Sequence, residues 1–289
     1  MRILVTGGGG MLGRALVPLL EEAGHEVLAV GRSGGPRVAR CDITDHAAVK
    51  RTAAGFRPDA LVHLAGMTGN VACEEYPKGA IQTNVQGTYN VISACSKYGP
   101  AVVLASTREV YAASDGILTE SSRMDPMNIN GITKMGAEIM AERLCSVHGM
   151  RLAVARFSNF VGEDNEERGI SSMFKAAIQD RRITIYGGSQ EIDPLHYLDA
   201  ADAVVRLLGS DISGTFNVAS GSPSSISGMV DRLGHILGRE VRAVHRKRRP
   251  FESEHCRMDV SKAAREAGFR ARIDLDEILK RMVSRWAET

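Results

Sequence analysis

The sequence predicts a doubly wound α/β architecture, a parallel sheet with helices on both faces, followed by a smaller and less regular lobe. Two observations carry this. Short β-branched or aliphatic runs alternate with helical patterns through the first half, and a glycine-rich turn joins the first run to the first helix. Alternation of that kind implies right-handed crossovers, with ligands bound at the carboxyl ends of the strands.

The five runs are Arg2 to Thr6, Glu26 to Val30, Ala60 to Leu64, Val102 to Ser106 and Leu152 to Phe157. Helical patterns lie near residues 11 to 23, 78 to 98 and 130 to 148. From about residue 160 the apolar periodicity is broken by the loops Gly162 to Gly169 and Gly187 to Pro194, and then by the basic stretch His245 to Pro250. We therefore assign residues 1–165 to a nucleotide-binding domain, with strand contributions from later segments, and 166–289 to a smaller substrate lobe.

Composition excludes several classes. With 289 residues, 44% of them hydrophobic, the chain can build a sizeable core, and its formal charge of +2 creates no global attraction to nucleic acid or anionic membrane. Cys41, Cys73, Cys95, Cys145 and Cys256 are odd in number and widely spaced, which argues against a disulfide framework and a zinc site and favours a reducing cytoplasm. No apolar run approaches the roughly 20 residues of a membrane helix, and the chain opens on a charged residue and a strand rather than a signal peptide. The residue types also offer no metal constellation.

The strand Ile3-Leu4-Val5 runs into Thr6-Gly7-Gly8-Gly9-Gly10-Met11-Leu12-Gly13 and then an apolar helix. Glycines at 7, 10 and 13 allow a tight turn, close approach to a diphosphate, and close packing of helix on strand. This is the cofactor-binding turn of a Rossmann-type domain, and it points to an NAD-family dinucleotide. The end of the second strand selects among such cofactors, because a carboxylate there bonds the ribose 2′-hydroxyl and repels a 2′-phosphate. Here the strand ends in Gly31-Arg32-Ser33, a guanidinium and a hydroxyl suited to a phosphate, so NADP is favoured over NAD. Asp42 and Ile43, after a third short extended segment, are placed to meet the adenine.

Along nearly its whole length the chain resembles the extended short-chain dehydrogenase/reductases, specifically their nucleotide-sugar epimerase/dehydratase group. The matching pieces are TGGGGMLG, the Asp42-Ile43 pair, DALVHLAG at Asp59 to Gly66, NVQGT at Asn84 to Thr88, STREVY at Ser106 to Tyr111, RFSNFVG at Arg156 to Gly162, FNVASG at Phe216 to Gly221, and RRPFE followed by DVSKAAREAGF. The resemblance implies a Rossmann domain, a C-terminal lobe for a nucleotide diphosphate sugar, and commonly a homodimer. It also implies cofactor contacts at Leu64, Ala65, Gly66, Asn84, Lys134 and Ser158.

In that family a Ser or Thr at the end of the fourth run works with a Tyr and with a Lys four residues beyond the Tyr. The phenolate takes a sugar hydroxyl proton as hydride leaves for the nicotinamide, and the Lys lowers the phenol's pKa. Thr107 and Lys134 match the Thr and the Lys, but the Tyr position holds Asn130. An amide cannot act as a general base near neutral pH. Asn130 is either an engineered, inactivating change or a natural departure in a protein that has lost or moved its proton shuttle; a plain role as helix N-cap is compatible with both.

The resemblance places Glu109 where dehydratases and decarboxylating relatives carry a Glu able to remove the acidic proton beside a transient 4-keto group. A strand-end surface charge is the plain alternative. Arg108 stands where some dehydratases have an acid for the leaving 6-hydroxyl, a task a guanidinium cannot perform, and we assign it with Asn159 and Arg249 to substrate binding. Glu252 takes a neighbouring polar position, while Lys247 and Arg248 read as solvated. A further Arg usual before Leu195 is missing, and Asp193-Pro194 stand there. His63, in an apolar strand, reads as a satisfied core residue.

The resulting expectation is a nucleotide-sugar-modifying enzyme, whether epimerase, dehydratase or decarboxylase, that oxidises C4 transiently. Its rivals are a catalytically silent NAD(P)-binding sensor or scaffold, motivated by Asn130, and an NADPH-dependent reductase of a non-nucleotide carbonyl, motivated by the missing Arg.

Overall fold

The computed structural model describes residues 1–165 and 169–287. The first half is built from β1 (Arg2–Thr6), α1 (Met11–Glu22), β2 (Glu26–Gly31), β3 (Ala39–Arg40), α2 (His46–Phe56), β4 (Ala60–His63), α3 (Asn70–Glu75), α4 (Pro77–Ala80), α5 (Gly87–Cys95), β5 (Ala101–Thr107), α6 (Ile129–Val147) and β6 (Leu152–Phe157). Each of the five expected strands is present, ending within a residue of where its apolar run ends. The expected helix over 78 to 98 is a composite: α4 passes into a π-helical turn, Ile81–Gln86, and then into α5.

The second half supplies β7 (Asn159–Phe160), α7 (Gly169–Ile178), β8 (Ile183–Tyr186), β9 (Glu191–Ile192), β10 (Pro194–Leu195), α8 (Tyr197–Gly209), β11 (Gly214–Val218), β12 (Ser224–Ser225), α9 (Ile226–Leu237), β13 (Ala243–Arg246), α10 (Ser261–Glu266) and α11 (Leu275–Trp286). The main sheet has seven parallel strands in the order β11-β6-β5-β4-β1-β2-β3. Its last strand therefore comes from the second half, and α8, also from the second half, packs on α1. The expected linear boundary after residue 165 adjoins residues 166–168, which lie outside the described residues together with part of the expected Gly162 to Gly169 loop.

Strands buried on both faces need a core on each side. One side packs Leu16, Leu20, Val204, Leu207 and Phe216; the other packs Val49, Val91, Ile92, Ala141 and Cys145. The second half has its own core, in which Phe174, Ile185, Met229, Leu233, Ile278 and Met282 are buried. Among the described residues, no helix is long and apolar enough to cross a membrane.

The strand order fixes where a ligand can sit. The chain moves outward from β1 through β2 and β3 on one side, and through β4, β5 and β6 on the other, so the order reverses between β1 and β4. Thr6 and His63 end these two strands in register, and the loops that leave them open a crevice at the carboxyl edge.

Candidate active site

The glycine turn fills one wall of that crevice. Gly7 adopts φ +74°, and a Cβ on it would lie 2.7 Å from the Ala65 backbone nitrogen. A Cβ on Gly13 would lie 2.5 Å from the Gly7 carbonyl oxygen, so helix and turn touch backbone to backbone. The Gly10 N–H donates to that same carbonyl at 2.9 Å, and no side chain caps α1. Its first N–H groups and the positive end of its dipole thus face the crevice, the arrangement that receives a diphosphate. Met11 is partly exposed, while the Leu12 and Ile43 side chains are buried in the sheet cores, leaving their backbones for any ligand.

Arg32 and Ser33 are exposed where β2 ends, and Asp42 turns its Oδ1 back to accept from the Thr44 N–H and hydroxyl at 2.9 and 2.8 Å. Leu64, Ala65 and Gly66 follow β4. The Ala65 N–H donates to Thr6 Oγ1 at 3.3 Å. His63, 1% exposed, bonds the Thr6 and Thr88 hydroxyls through its two ring nitrogens at 2.6 and 3.0 Å, and burial drives its pKa down to about 3. It is a neutral core residue, as its apolar strand suggests.

Asn84 sits in the π-helical turn, a local widening often found at functional sites. Its amide clamps Met67, accepting from the N–H at 2.7 Å and donating to the carbonyl at 2.9 Å, and also donates to Thr133 Oγ1. It acts as a strut for the loop after β4. Behind it lies Lys134, whose Nζ would be 3.0 Å from a Cβ on Gly66 and donates to the Ala105 carbonyl at 2.9 Å. Burial lowers its pKa to about 8, against a counter-pull from Glu138 and Cys73.

Asn130 is in the first turn of α6 but is not its cap. That role belongs to Asn128, whose Oδ1 accepts from the Gly131 N–H at 2.8 Å, which corrects the plain reading of Asn130. The Asn130 Nδ2 donates to Asn70 Oδ1 at 3.2 Å, while its own Oδ1 is buried with no partner among the described residues. Ser158 Oγ is in the same condition. Unpaired buried polar atoms cost about 1–3 kcal/mol each; Ser158 directly follows β6, and Asn130 stands in the first turn of α6.

Glu109 is not a surface charge. It is 8% exposed; one oxygen meets the Arg108 guanidinium at 2.8 Å and the other accepts from Asn128 Nδ2 at 2.7 Å. Arg108 also donates through Nε to Asn159 Oδ1 at 3.1 Å, so the expected substrate pair is joined directly. Thr107 accepts from the Glu109 N–H and starts the 3-10 turn that carries both charged residues. The close fit of α6 to that turn depends on Gly131, where a Cβ would lie 2.1 Å from the Glu109 carbonyl oxygen.

The second lobe reaches the site through the 249–252 loop. Asn128 Nδ2 donates to the Phe251 carbonyl at 3.2 Å, while Arg249 lies over the Tyr186 ring at 3.9 Å and pairs with Glu252 at 2.9 Å. Lys247 is solvated as expected; Arg248 is not, because it donates to the Glu252 carbonyl and pairs with Glu254 at 3.5 Å. Asp193 is fully buried, accepting from the Ser220 N–H and hydroxyl at 2.8 and 2.6 Å and from the Gly221 N–H at 3.0 Å. Burial pushes its pKa up, and it holds the turn after β11. Sequence reasoning missed Asn128, Asn70 and Asn84's bracing role; of these, only Asn128 carried a signal, as a cap-type residue opening α6.

A family model described as the NAD dependent epimerase/dehydratase family matches residues 3–219. A UDP-glucuronate 4-epimerase of Thermodesulfobacterium geofontis is 25% identical over 99% of this chain and 95% of its own length. UDP-glucuronic acid decarboxylase 6 of Arabidopsis thaliana is 26% identical over 98% and 88% respectively. Among solved structures, MoeE5 in complex with UDP-glucose and NAD superposes with a TM-score of 0.90 at 26% identity, covering 100% of this chain and 99% of that one. By its sheet order, its glycine turn and this match over most of its length, the chain belongs to the NAD dependent epimerase/dehydratase family.

Proposed function

We propose that this chain holds a nicotinamide dinucleotide together with a nucleotide diphosphate sugar, and transiently oxidises the sugar's C4 hydroxyl before returning the hydride within the same cycle. The observation that carries this reading is the carboxyl-edge floor, where Lys134 Nζ lies beside the Gly66 backbone and, one helical turn earlier, the buried Asn130 Oδ1 is left without a partner. When bound, the dinucleotide supplies the hydride acceptor. Gly7 to Gly13 and the α1 N-terminus receive its diphosphate, and Gly66 and Lys134 line the nicotinamide end. Arg32 and Ser33, with no carboxylate at the end of β2, favour NADP; NAD, present in the MoeE5 complex, is the second candidate.

Arg249, stiffened by Tyr186 beneath it, takes the sugar diphosphate, and Asn159 and Arg108 hold the sugar. Thr107 supplies a hydroxyl beside C4. Glu109, with both oxygens engaged, stays fixed at the edge of the substrate site, where it serves elimination or decarboxylation once a proton beside the oxidised carbon becomes acidic. Ile81 and Tyr89 from the π turn and α5, with Ile132 and Ile139 from α6, form an exposed apolar belt on packed helices that suits a second copy of the chain. The buried free thiols support a reducing, cytoplasmic setting. Asn130 favours one second reading, a silent sensor that binds both ligands without turnover.

Native mass spectrometry of the purified protein, followed by calorimetry with NADP, NAD and UDP-glucuronic acid, tests this. A retained dinucleotide and saturable heat from the sugar nucleotide are expected. Absence of both removes the proposal. Binding of both, with C4 hydrogen exchange undetectable by deuterium labelling, selects the silent sensor.

A further inference from the structure

The family's proton acceptor is missing, and the structure offers one group able to replace it. We propose that Lys134, as a neutral amine, itself takes the C4 hydroxyl proton in this chain. The inference rests on the function proposed above and deepens it.

Three observations converge on this. Nζ is buried, lies against Gly66 on the crevice floor, and makes one hydrogen bond among the described residues, to the Ala105 carbonyl, which a neutral amine can still donate. Asn130, one turn earlier on the same face of α6, ends in a short amide drawn aside by Asn70, so no phenol stands between the amine and the crevice. The unpaired Asn130 Oδ1 is a neutral acceptor that cannot ionise the sugar hydroxyl, so the proton is left to the amine.

The groups around Lys134 are consistent with a neutral amine. On α6 itself, Glu138 is committed to Arg156 at 2.6 Å and to the Ser106 hydroxyl, which leaves it a weak counter-ion for the lysine. From α3, Cys73 is fully buried with its thiol pushed up by burial, and Glu74 is spent on the Ile129 N–H at 2.8 Å. From β4, His63 is neutral. The lysine's own pKa of about 8 leaves an appreciable fraction unprotonated at physiological pH.

The step balances. The C4–H bond breaks with its electron pair leaving as hydride to the nicotinamide, the O–H proton goes to the Nζ lone pair, and C–O becomes C=O. The resulting ammonium returns that proton when the hydride comes back. Glu109, held by Arg108 and Asn128 at the edge of the substrate site, keeps its separate role toward the later proton beside the oxidised carbon.

Two measurements test the assignment. In protein carrying ¹⁵N at lysine Nζ, the resonance absent from Lys134→Arg should titrate with a midpoint near 8 in the wild-type chain, without any ligand. In single turnover with NADP and UDP-glucuronic acid, reduced-cofactor absorbance should form at a rate rising through that same pH. Lys134→Arg should lower the rate by ~10²- to 10⁴-fold, the usual worth of a general base. Lys134→Ala should regain activity with added ethylamine and methylamine, in proportion to the free amine present. A Lys134→Arg protein that stays folded by circular dichroism and keeps the wild-type rate and pH profile overturns the proposal, as does a Nζ midpoint near 10.5. Calorimetric binding of both ligands with no reduced cofactor at any pH overturns Lys134 alone; absence of binding overturns the functional reading and the assignment with it.

Discussion

Replacing Lys134 by Met should make the protein more stable at neutral pH, and the gain should disappear in alkali. Lys134 is buried, and its pKa falls from the ordinary 10.5 to about 8 because burial disfavours the ammonium. At about 1.4 kcal/mol per pH unit, that difference amounts to about 3 kcal/mol of penalty carried by the folded state while the amine is charged in both states. The sign follows from proton counting. Below pH 8 folded and unfolded chains both hold the proton and the penalty is complete. Between about 8 and 10.5 the folded chain has released it while the unfolded chain has not, so the penalty fades as pH rises. Met fills the same volume without charge but loses the bond to the Ala105 carbonyl, about 1 kcal/mol, leaving a net gain of about 2 kcal/mol at pH 7. Urea unfolding at pH 7, 8.5 and 10 reads the difference from the midpoints. A Lys134→Met protein less stable than wild type at pH 7, or one whose advantage grows with pH, would refute the claim that the lysine is held against its preferred charge.

Other sites give sharper separations of cofactor from substrate. Gly13→Ala should cost about 1–3 kcal/mol in unfolding and abolish dinucleotide binding, because its Cβ meets Gly7 and Gly8 backbone atoms that cannot yield; unchanged calorimetry would exclude the turn as the diphosphate cradle. Arg32→Ala should weaken NADP by about 1.5–3 kcal/mol and NAD little, so an equal loss for both would remove it as discriminator. Arg249→Ala should raise the dissociation constant for UDP-glucuronic acid with dinucleotide affinity unaltered, and an unchanged sugar-nucleotide isotherm counts against its role. Asn130→Tyr should hand the proton to a phenol, so that reduced-cofactor formation no longer follows the Lys134 midpoint near 8, as judged by stopped-flow absorbance across pH; an unchanged pH profile would count against Asn130 as the vacated position.

The sheet was legible because its strands are buried on both faces, which forces continuous apolar runs such as Ala60 to His63 that no amphipathic helix would carry. The glycine turn was legible for a related reason, since backbone-to-backbone contact leaves glycine as the residue that fits. The strand pairs of the second lobe were not. Two-residue pairings such as β7 with β10 and β9 with β12 have no periodicity to read, and their partners lie more than 30 residues apart in sequence. Asp193 shows the same limit: its residue type told only that an Arg was missing, while its bonds to Ser220 and Gly221 exist through the fold alone.

The acidic site residue illustrates how backbone conformation decides what a charge means. In a strand, neighbours point to opposite faces, so Arg108 and Glu109 read as extended would face apart and could not pair. After Thr107 the backbone instead enters a 3-10 turn, in which adjacent side chains diverge far less, and the two charges pair at 2.8 Å while both are buried. Burial then makes the pair self-enforcing, because removing either member strands an uncompensated charge at a cost of about 3–5 kcal/mol. Asn128 binds the free oxygen of that pair, caps α6 and touches the Phe251 carbonyl. Through this one amide, the carboxylate at the end of β5, the first turn of the helix bearing Asn130 and Lys134, and the Arg249 loop of the second lobe are fixed relative to each other. The geometry of the candidate site is therefore braced by a residue that joins three of its walls, and a change at 128 should disturb sugar-nucleotide binding and the Lys134 titration together.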